Sequence, residues 1–366
     1  FQGHSFWLQD YVAAGPFKET EYVPGDHIDT AAFAGYALGR PKIDKIRIVF
    51  IGDPQAGVAQ LLSGNVHFSD SFVINPTDGI NLEQQWADTK AGEILWSPTD
   101  PREALVQWRP EYALPVGIRD QRVRKALAYG FDNQGAIDGL NFGKGILTNT
   151  STVPGIAGFD QIDKVIEHYR YDPRMVAQLM TDAGYAKGTD GFFADSTGKR
   201  FEVDIWSSSG DKNIQEATFF ADGLRRAGMF ANQQVFSLQQ LNDGMARATV
   251  PGLSIRGGNN YTYYLTSDIA GPVNKWSSNN RSGYSNPEYD RFYDEWTNTL
   301  DSAKRIQALA NLERVFNQDV GAIMMYFQDT PTARVAALKG PAAVDHQGSG
   351  GNGASVLRIS TWTWEP

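Results

Sequence analysis

The chain has 366 residues, enough for two or three domains, and a formal net charge of −9 from 42 acidic and 33 basic side chains. This balance argues against a nucleic-acid partner, because phosphate binding needs clustered Lys and Arg. The absence of cysteine excludes a disulfide framework, a thiolate metal site and a cysteine nucleophile. No apolar run reaches the roughly 18 residues of a membrane span. The opening sequence FQGHSFWLQDY also lacks the basic and apolar regions of a signal peptide.

The N-terminal third of the chain predicts a β-hairpin followed by a strand–helix–strand unit. Residues 17–22 alternate like a strand, and the PGD sequence at 24–26 is typical of a tight turn. The β-branched run IRIVF at 46–50 predicts a strand. Residues 53–64 contain the Asp cap, leading Pro, apolar stripe and terminal Gly of a helix. We expect 66–68 to resume a strand, which favours α/β architecture.

The next segment predicts a passage from one lobe of the molecule into another. Residues 82–89 predict a helix, 93–96 a strand and 104–108 a second, short strand. The stretch 119–132, RDQRVRKALAYGFD, follows with apolar residues at the i, i+3, i+4, i+7 spacing of a buried helix stripe. Asp120 is a good N-cap for this predicted helix.

The rest of the chain continues the alternation of strands and helices. Residues 144–159 predict a loop, and Asp172 is expected to cap a helix over 171–185. The acidic hairpin 190–199 lacks the pattern of a calcium loop, so its Asp residues indicate turn chemistry. The remaining predicted elements are a strand at 201–207, a helix at 214–228, a strand at 229–236, helices at 284–300 and from 301, a strand at 322–327, a flexible GSGGNG loop and a strand at 356–364.

The sequence offers little for an enzyme mechanism. It contains no GxSxG, no HExxH and no pair of His at ligand spacing, and its five His are scattered. We therefore assign no catalytic residue, no metal ligand and no cofactor, and we interpret the lone His67 as structural. The sequence leaves open a pair of carboxylates for glycoside hydrolysis, because the distance between the two carboxylates in the folded protein decides that chemistry.

Several motifs, in order along the chain, resemble one known family. They are the segment 51–68, the helix opening DQRVRKALAYGFD at 120–132, YDPRMVAQLMTDAGY at 171–185 and GYSNPEYD at 283–290. They resemble the solute-binding proteins of family 5, the oligopeptide-, dipeptide- and nickel-binding class that serves ABC importers. The chain departs from that family at Gly130, where Ala is usual, and lacks the aromatic–Asp–Tyr–Pro signature of many peptide-binding members.

The resemblance implies an α/β, two-lobed periplasmic-binding-protein-like (class II) fold with mixed sheets flanked by helices. Lobe I would comprise 1–106 and the return segment 332–366, and lobe II would comprise 107–331. The ligand would be enclosed between the lobes, and its binding would select a hinge-closed form. In the family the 17–26 hairpin lies well inside the polypeptide. The resemblance therefore also implies that an N-terminal portion is missing and that the first lobe is incomplete.

The implied function is capture of a small solute, a peptide or an oligosaccharide, and its delivery to the permease subunits of an ABC importer. The location would be the periplasmic or extracellular face of the cell membrane. No nucleic-acid partner is expected. A membrane contact is expected only through a lipid anchor that is absent from this chain. A non-transport ligand sensor of the same fold stays open, followed by a secreted glycan-acting enzyme.

Aromatic and amide side chains, most of them within 251–283, are the candidate ligand contacts. Rings with amides and an Arg suit a neutral or anionic ligand, such as a sugar that stacks on the rings, better than a peptide amine. Peptide is the family's default substrate, so the two ligand classes rank equally. The predicted ligand-binding residues are Trp108, Trp206, Arg256, Tyr261, Tyr263, Tyr264, Trp276 and Asn279.

Overall fold

The computed structural model describes residues 14–69, 73–154, 156–258, 261–341, 356 and 358–366. The chain divides into two compact units. Among the described residues, unit 1 comprises those within 14–97, 330–341 and 356–366, and unit 2 comprises those within 98–329. The lobe boundaries expected from the sequence, at 106/107 and 331/332, stay predictions.

The elements are numbered in chain order. The strands are β1 Phe17–Val23, β2 His27–Ala32, β3 Lys45–Val49, β4 Gly92–Val106, β5 Gly145–Leu147, β6 Ala186–Lys187, β7 Phe193–Ala194, β8 Glu202–Ser207, β9 Phe230–Val235, β10 Leu253–Gly257, β11 Ala322–Val335, β12 Leu338–Lys339 and β13 Thr363–Trp364. The helices are α1 Pro54–Leu62, α2 Pro76–Thr89, α3 Gln121–Gly130, α4 Asn133–Leu140, α5 Phe159–Asp163, α6 Pro173–Asp182, α7 Asp211–Ala227, α8 Leu238–Asn242, α9 Gly244–Ala248, α10 Pro287–Asn298 and α11 Ser302–Asp319. None of the helices in the described ranges is long and apolar enough to cross a membrane.

Unit 1 contains an antiparallel three-stranded sheet in the order β1-β2-β3. The predicted hairpin is confirmed, and Gly25 occupies the positive φ of 79° that its tight turn requires. The strand predicted at 46–50 is also confirmed, as β3. The expected strand at 66–68 is wrong, because only Phe68 pairs there, in an isolated bridge with Arg334. This part of unit 1 is therefore an antiparallel meander followed by a helix.

The core of unit 1 lies between its two helices and the start of β4. Asp53 caps α1 by accepting the N–H of Ala56, as the sequence predicts. Asn75 caps α2 in the same way, so this helix begins before the predicted 82–89. The buried apolar side chains are Leu61, Ile74, Leu82, Trp86, Ile94 and Ala333.

Unit 2 is built on a six-stranded mixed sheet in the order β5-β11-β4-β10-β8-β9. Strands β8, β9 and β10 run parallel, and β4 runs antiparallel to β10. Two predicted strands, 93–96 and 104–108, are one continuous strand of 15 residues, β4. Strand β11 likewise continues past the predicted end at 327. The loop predicted over 144–159 contains β5, which pairs with Tyr326–Gln328.

One face of this sheet packs against α7, α3 and α6. The stripe predicted for α7 is confirmed, since Phe220, Ala221 and Leu224 have no exposed surface. The Asp120 cap of α3 is confirmed as well. A Cβ at position 130 would lie only 2.5 Å from Leu224 Cδ2, so Gly130 permits the close approach of α3 to α7.

The other face of the sheet packs against a cluster of aromatic residues beneath α10 and α11. Asn286 and Asp301 cap these helices, and the second helix begins directly after its cap at 301, where the sequence predicts it. The ring of Phe316 contacts three buried tyrosines, Tyr264, Tyr284 and Tyr289. Successive side chains of β4 point to opposite faces of the sheet, which accounts for the two cores. Ala104 and Val106 pack in the core on the first face, and Leu105 packs in the core on the second.

The hairpin predicted at 190–199 and the strand predicted at 356–364 have different outcomes. Asp190 and Asp195 accept backbone N–H groups of their own turns, which confirms the turn interpretation of 190–199. The strand predicted over 356–364 is wrong for most of its length, because Ile359–Thr361 forms a 3-10 turn and only Thr363–Trp364 pairs as β13. The predicted GSGGNG loop lies outside the described residues.

Candidate functional site

The parallel strands of unit 2 end together at one edge of the sheet. Strand β8 ends at Ser207, β9 at Val235 and β10 at Gly257, and Gly257 pairs with Arg102 of the antiparallel β4. The carboxyl ends of parallel strands are the usual ligand site of open α/β sheets, because loops and helix N-termini converge there. This edge, called here the carboxyl edge, is the candidate functional site.

A buried ion pair occupies one face of the carboxyl edge. The Arg102 guanidinium donates to both carboxylate oxygens of Glu216 on α7, with Nε 3.1 Å from each, and to Asn213 Oδ1 at 2.6 Å. Glu216 has no exposed surface, and Tyr326 also donates its hydroxyl to Glu216. Burial alone would lower the pKa of Arg102, but the charge and hydrogen bonds of Glu216 outweigh it and raise that pKa.

Lys212 adds a second cation beside this pair. It lies in the first turn of α7, and its Nζ donates to Asn141 Oδ1 at 2.9 Å. Burial lowers the pKa of Lys212 to about 8; Arg102 lowers it further, and Glu216 opposes both. The N-cap of α7, Gly210, offers no side-chain cap to the first-turn N–H groups. Lys212, Arg102 and the helix N-terminus bring positive charge to this face of the edge, where Glu216 supplies a buried carboxylate and Asp211, the first residue of α7, is also acidic.

A second buried ion pair occupies the opposite face of the carboxyl edge. Arg256 on β10 pairs directly across from Glu103 on β4, with Nε 2.6 Å from Oε1. Tyr264 donates its hydroxyl to the same carboxylate, and Arg256 lies 5.2 Å over the ring of Tyr263. Although burial opposes it, the charge of Glu103 raises the pKa of Arg256. This arginine is therefore charged and held in place.

Four polar atoms near this edge are buried and have no hydrogen-bond partner among the described residues. They are Ser207 Oγ at the end of β8, the neighbouring Trp206 Nε1, Arg256 Nη2 and Asn141 Nδ2. An unpaired buried polar group costs free energy. A bound polar solute or water that pairs with these atoms would remove that cost.

The structure brings four of the predicted ligand-binding residues together around Glu103. Arg256 and Tyr264 bond its carboxylate, Tyr263 lies under Arg256, and the Asn279 carbonyl accepts from Arg256 Nη1 at 3.3 Å. Tyr264 has no exposed surface, whereas Asn279 is exposed.

Two further predicted residues lie apart from that group. Trp206 is half-buried on β8, with its ring 5.1 Å from that of Phe236. Tyr261 donates its hydroxyl to Glu313 at 2.9 Å and also meets Thr152 Oγ1. The ring of Tyr261 is therefore held by polar contacts with the loop that contains Thr152.

Trp108 and Trp276 belong to the other end of β4. Trp108 lies five residues beyond Glu103, about 15 Å along an extended chain. Its Nε1 donates to the Gly321 carbonyl at 3.1 Å, and Arg124 covers its ring at 4.0 Å. Trp276 lies near Arg109, 5.9 Å from guanidinium carbon to ring centre. Solute contacts for all eight residues stay predictions.

Sequence reasoning predicted Arg256 but missed the other charged residues of the carboxyl edge, Arg102, Glu103, Lys212 and Glu216. Glu216 falls on the same stripe as Phe220 and Leu224, at i+4 and i+8, so the predicted helix already placed a carboxylate in the core. A buried carboxylate needs a cation, but nothing in the sequence indicates that Arg102, which lies just before the strand predicted at 104–108, is that cation. No pattern in the sequence indicates Lys212, because it is one polar residue within a predicted polar loop.

Comparison with solved structures identifies the class of protein that this architecture defines. The structure of NikZ from Campylobacter jejuni, in complex with Ni(L-His), superimposes with a TM-score of 0.70 at 19% sequence identity. The superposition covers 98% of this chain and 70% of the other. The fold is that of the two-lobed substrate-binding proteins.

Sequence comparison identifies the family. Residues 4–275 match the profile described as bacterial extracellular solute-binding proteins, family 5 Middle, and the chain belongs to that family. The oligopeptide-binding protein AppA of Bacillus subtilis is 23% identical over 305 residues, which cover 77% of this chain and 54% of that protein. Heme-binding protein A of Haemophilus influenzae is also 23% identical, over 80% of this chain and 51% of its own length. The chain thus spans about half the length of these curated relatives.

Proposed function

We propose that the protein is an extracytoplasmic solute-binding protein that captures a peptide and delivers it to the membrane subunits of an ABC importer. Membership of the family supports solute capture as the activity. The observation that carries the proposal is the presence of two cations, Lys212 and Arg102, at the carboxyl edge beside the N-terminus of α7. A solute carboxylate would pair with these cations.

A free peptide carboxylate fits this edge better than an oligosaccharide does. Carboxylates bind at helix N-termini and beside buried cations, whereas neutral sugars form no ion pair with Lys212 or Arg102. Sugar recognition would depend on open aromatic faces, but Tyr264 is fully buried and Tyr263 is covered by Arg256. Of the relatives reported above, one is named for oligopeptides, one for heme and one is bound to a nickel–histidine complex. We therefore rank peptide ahead of oligosaccharide.

We propose a transport role without catalysis, on the periplasmic or extracellular face of the cell membrane. Family 5 comprises extracellular solute-binding proteins, and this supports the location. Two ion pairs, Arg102–Glu216 and Arg256–Glu103, hold charge in place at the carboxyl edge, as a binding site requires. The proposed partner is the pair of permease subunits of the importer.

The experiment is isothermal titration and thermal shift of this chain with a tripeptide, its C-terminal amide, maltotriose and Ni(L-His). The free tripeptide is expected to raise the melting temperature by mass action. The amide should bind about tenfold more weakly, because it lacks the carboxylate that pairs with the cations.

The matched variants are Lys212→Met at the edge and Lys304→Met, which removes an exposed cation on α11. Lys212→Met should abolish the preference for the free carboxylate over the amide, and Lys304→Met should preserve it. Stabilisation by maltotriose alone would overturn the peptide assignment. If wild type and Lys212→Met discriminate equally between the free tripeptide and its amide, the carboxyl edge is not part of the binding site.

A further inference from the structure

A His and two carboxylates meet on one face of the β1–β2 hairpin in unit 1. Glu21 on β1 pairs directly across from Asp29 on β2, and His27 precedes Asp29 by two residues, so its side chain leaves the same face. One ligand atom from each of the three lies within 4.8 Å of the others. The sequence reading assigned no metal ligand here, because the register that juxtaposes Glu21 and Asp29 is not visible in the sequence.

The His27 ring is oriented for metal binding. Its Nδ1 lies 2.7 Å from Asp26 Oδ2, and in the tautomer in which Nδ1 donates to that carboxylate, Nε2 presents a lone pair. Nε2 is buried without a hydrogen-bond partner among the described residues, and the closest carboxylate oxygen, Asp29 Oδ2, is 3.9 Å away. A carboxylate that holds one ring nitrogen while the other faces acidic groups is the usual second shell of a metal-binding His.

The pairing of Glu21 with Asp29 is electrostatically unfavourable without a cation. Like charges directly opposite each other on antiparallel strands are destabilising. Arg47 on β3 offsets part of this repulsion by donating to both oxygens of Asp29 at 2.6 Å. Glu21, which is exposed, gains no comparable partner from Arg47. A metal ion between the two carboxylates and His27 would balance the remaining charge.

We propose that Glu21, His27 Nε2 and Asp29 bind a divalent transition-metal ion, with Zn²⁺ as the species that this donor set matches best. Zinc accepts imidazole nitrogen and carboxylate oxygen at about 2 Å and leaves a fourth position for water. Such bonds hold the donors roughly 3.5 Å apart, so closure requires shifts on the order of 1 Å. The exposed Glu21 side chain is free to make such a shift. Arg47 competes with the metal for Asp29, so the site is expected to be weaker than a structural zinc centre.

The test is equilibrium dialysis of the metal-stripped chain against ZnCl₂ near neutral pH. Wild type should take up one equivalent, and His27→Gln should weaken the affinity by more than about tenfold. Asp26→Asn should weaken it by about tenfold, because it removes only the carboxylate that orients the ring. His168→Gln is the matched control, since His168 also lies near a carboxylate, Asp163, at 3.5 Å; it should bind as wild type does.

If His27→Gln prevents the hairpin from folding, Glu21→Gln serves as the second test, because it changes an exposed side chain. This variant should also weaken zinc binding, while its melting temperature in the absence of metal should not fall and should rise slightly, because the repulsion between Glu21 and Asp29 is removed. No uptake by wild type, or equal uptake by wild type and Glu21→Gln, would overturn the proposal. Arg47→Gln should tighten binding, and weaker binding by this variant would contradict the competition between Arg47 and the metal.

Discussion

Arg102 and Glu103 are adjacent on β4 and hold buried ion pairs on opposite faces of the same sheet. Arg102 pairs with Glu216 beneath α7, and Glu103 pairs with Arg256 across the strand. Strand alternation enforces this division, because neighbouring side chains point to opposite faces. Two successive residues thereby fix charge on both sides of the carboxyl edge, where the solute is proposed to bind.

Arg256→Met should destabilise unit 2 strongly. The substitution leaves the Glu103 carboxylate, which has no exposed surface, without its cation. Loss of one partner from a buried pair costs about 3–5 kcal/mol. Urea denaturation measures the change, and Glu103→Leu combined with Arg256→Met should recover most of it. A single-variant loss below about 1 kcal/mol would show that the pair is screened by solvent.

Lys212→Met should stabilise the protein at neutral pH while weakening solute binding. Burial lowers the pKa of Lys212 to about 8, from an ordinary value of 10.5. Between those values the unfolded chain binds more protons than the folded chain, so this group makes stability rise with pH in that window. Below about pH 8 the full cost of burying the cation is present, and removing it should gain about 1–2 kcal/mol. Denaturation at pH values on either side of the window measures both effects, and an unchanged pH dependence in the variant would contradict the assignment to Lys212.

Glu313→Gln should alter the pH dependence of stability in the opposite sense. Burial raises the pKa of Glu313, although hydrogen bonds from Ser151, Thr152 and Tyr261 oppose the shift. A raised pKa means that the folded state binds more protons, so this contribution is fully present below pH 4.5 and is lost as the pH rises through the folded-state pKa. The variant should lack this fall. Melting temperatures of the two proteins measured in parallel buffers should diverge above that pH, and parallel curves would count against the prediction.

Gly130→Ala should destabilise unit 2 by about 1–3 kcal/mol, because the added methyl group overpacks a rigid contact. Its Cβ would lie 2.5 Å from Leu224 Cδ2 and 3.0 Å from Met229 Cε. The control is Gly139→Ala within α4, where a Cβ meets nothing within 4 Å. The control should be neutral or gain up to about 1 kcal/mol from helix propensity. Equal effects of the two substitutions in chemical denaturation would argue against the steric explanation.

Trp206→Phe should weaken solute binding without changing stability. The substitution preserves a ring beside Phe236 but removes the Nε1 donor, which has no partner within the described ranges. Loss of one hydrogen bond to a solute costs about 1 kcal/mol, or roughly fivefold in affinity. Trp276→Ala, which the sequence interpretation also expects to weaken binding, tests the other end of β4. Calorimetric titration of both variants therefore distinguishes the two placements of the site.

Local chemistry made much of the fold predictable. The caps at Asp53, Asp120 and Asp172 lie where the sequence predicts them. Each depends on a side-chain oxygen reaching a backbone N–H two or three residues away, so no distant part of the chain is needed. The apolar stripe of α7 and the PGD turn are equally local. The three residues of β5 were missed because a strand that short has no period to detect.

The sequence by itself determined the family, the alternation of helices and strands, and the residues that cap and line most of the helices. Only the tertiary structure decided which charges meet. Glu103 finds Arg256 at a separation of 153 residues, and Arg102 finds Glu216 at 114. It also placed Glu21 opposite Asp29 through the register of a hairpin. Strand register and long-range ion pairing depend on how whole faces are buried, and side chains far apart in the chain determine that jointly.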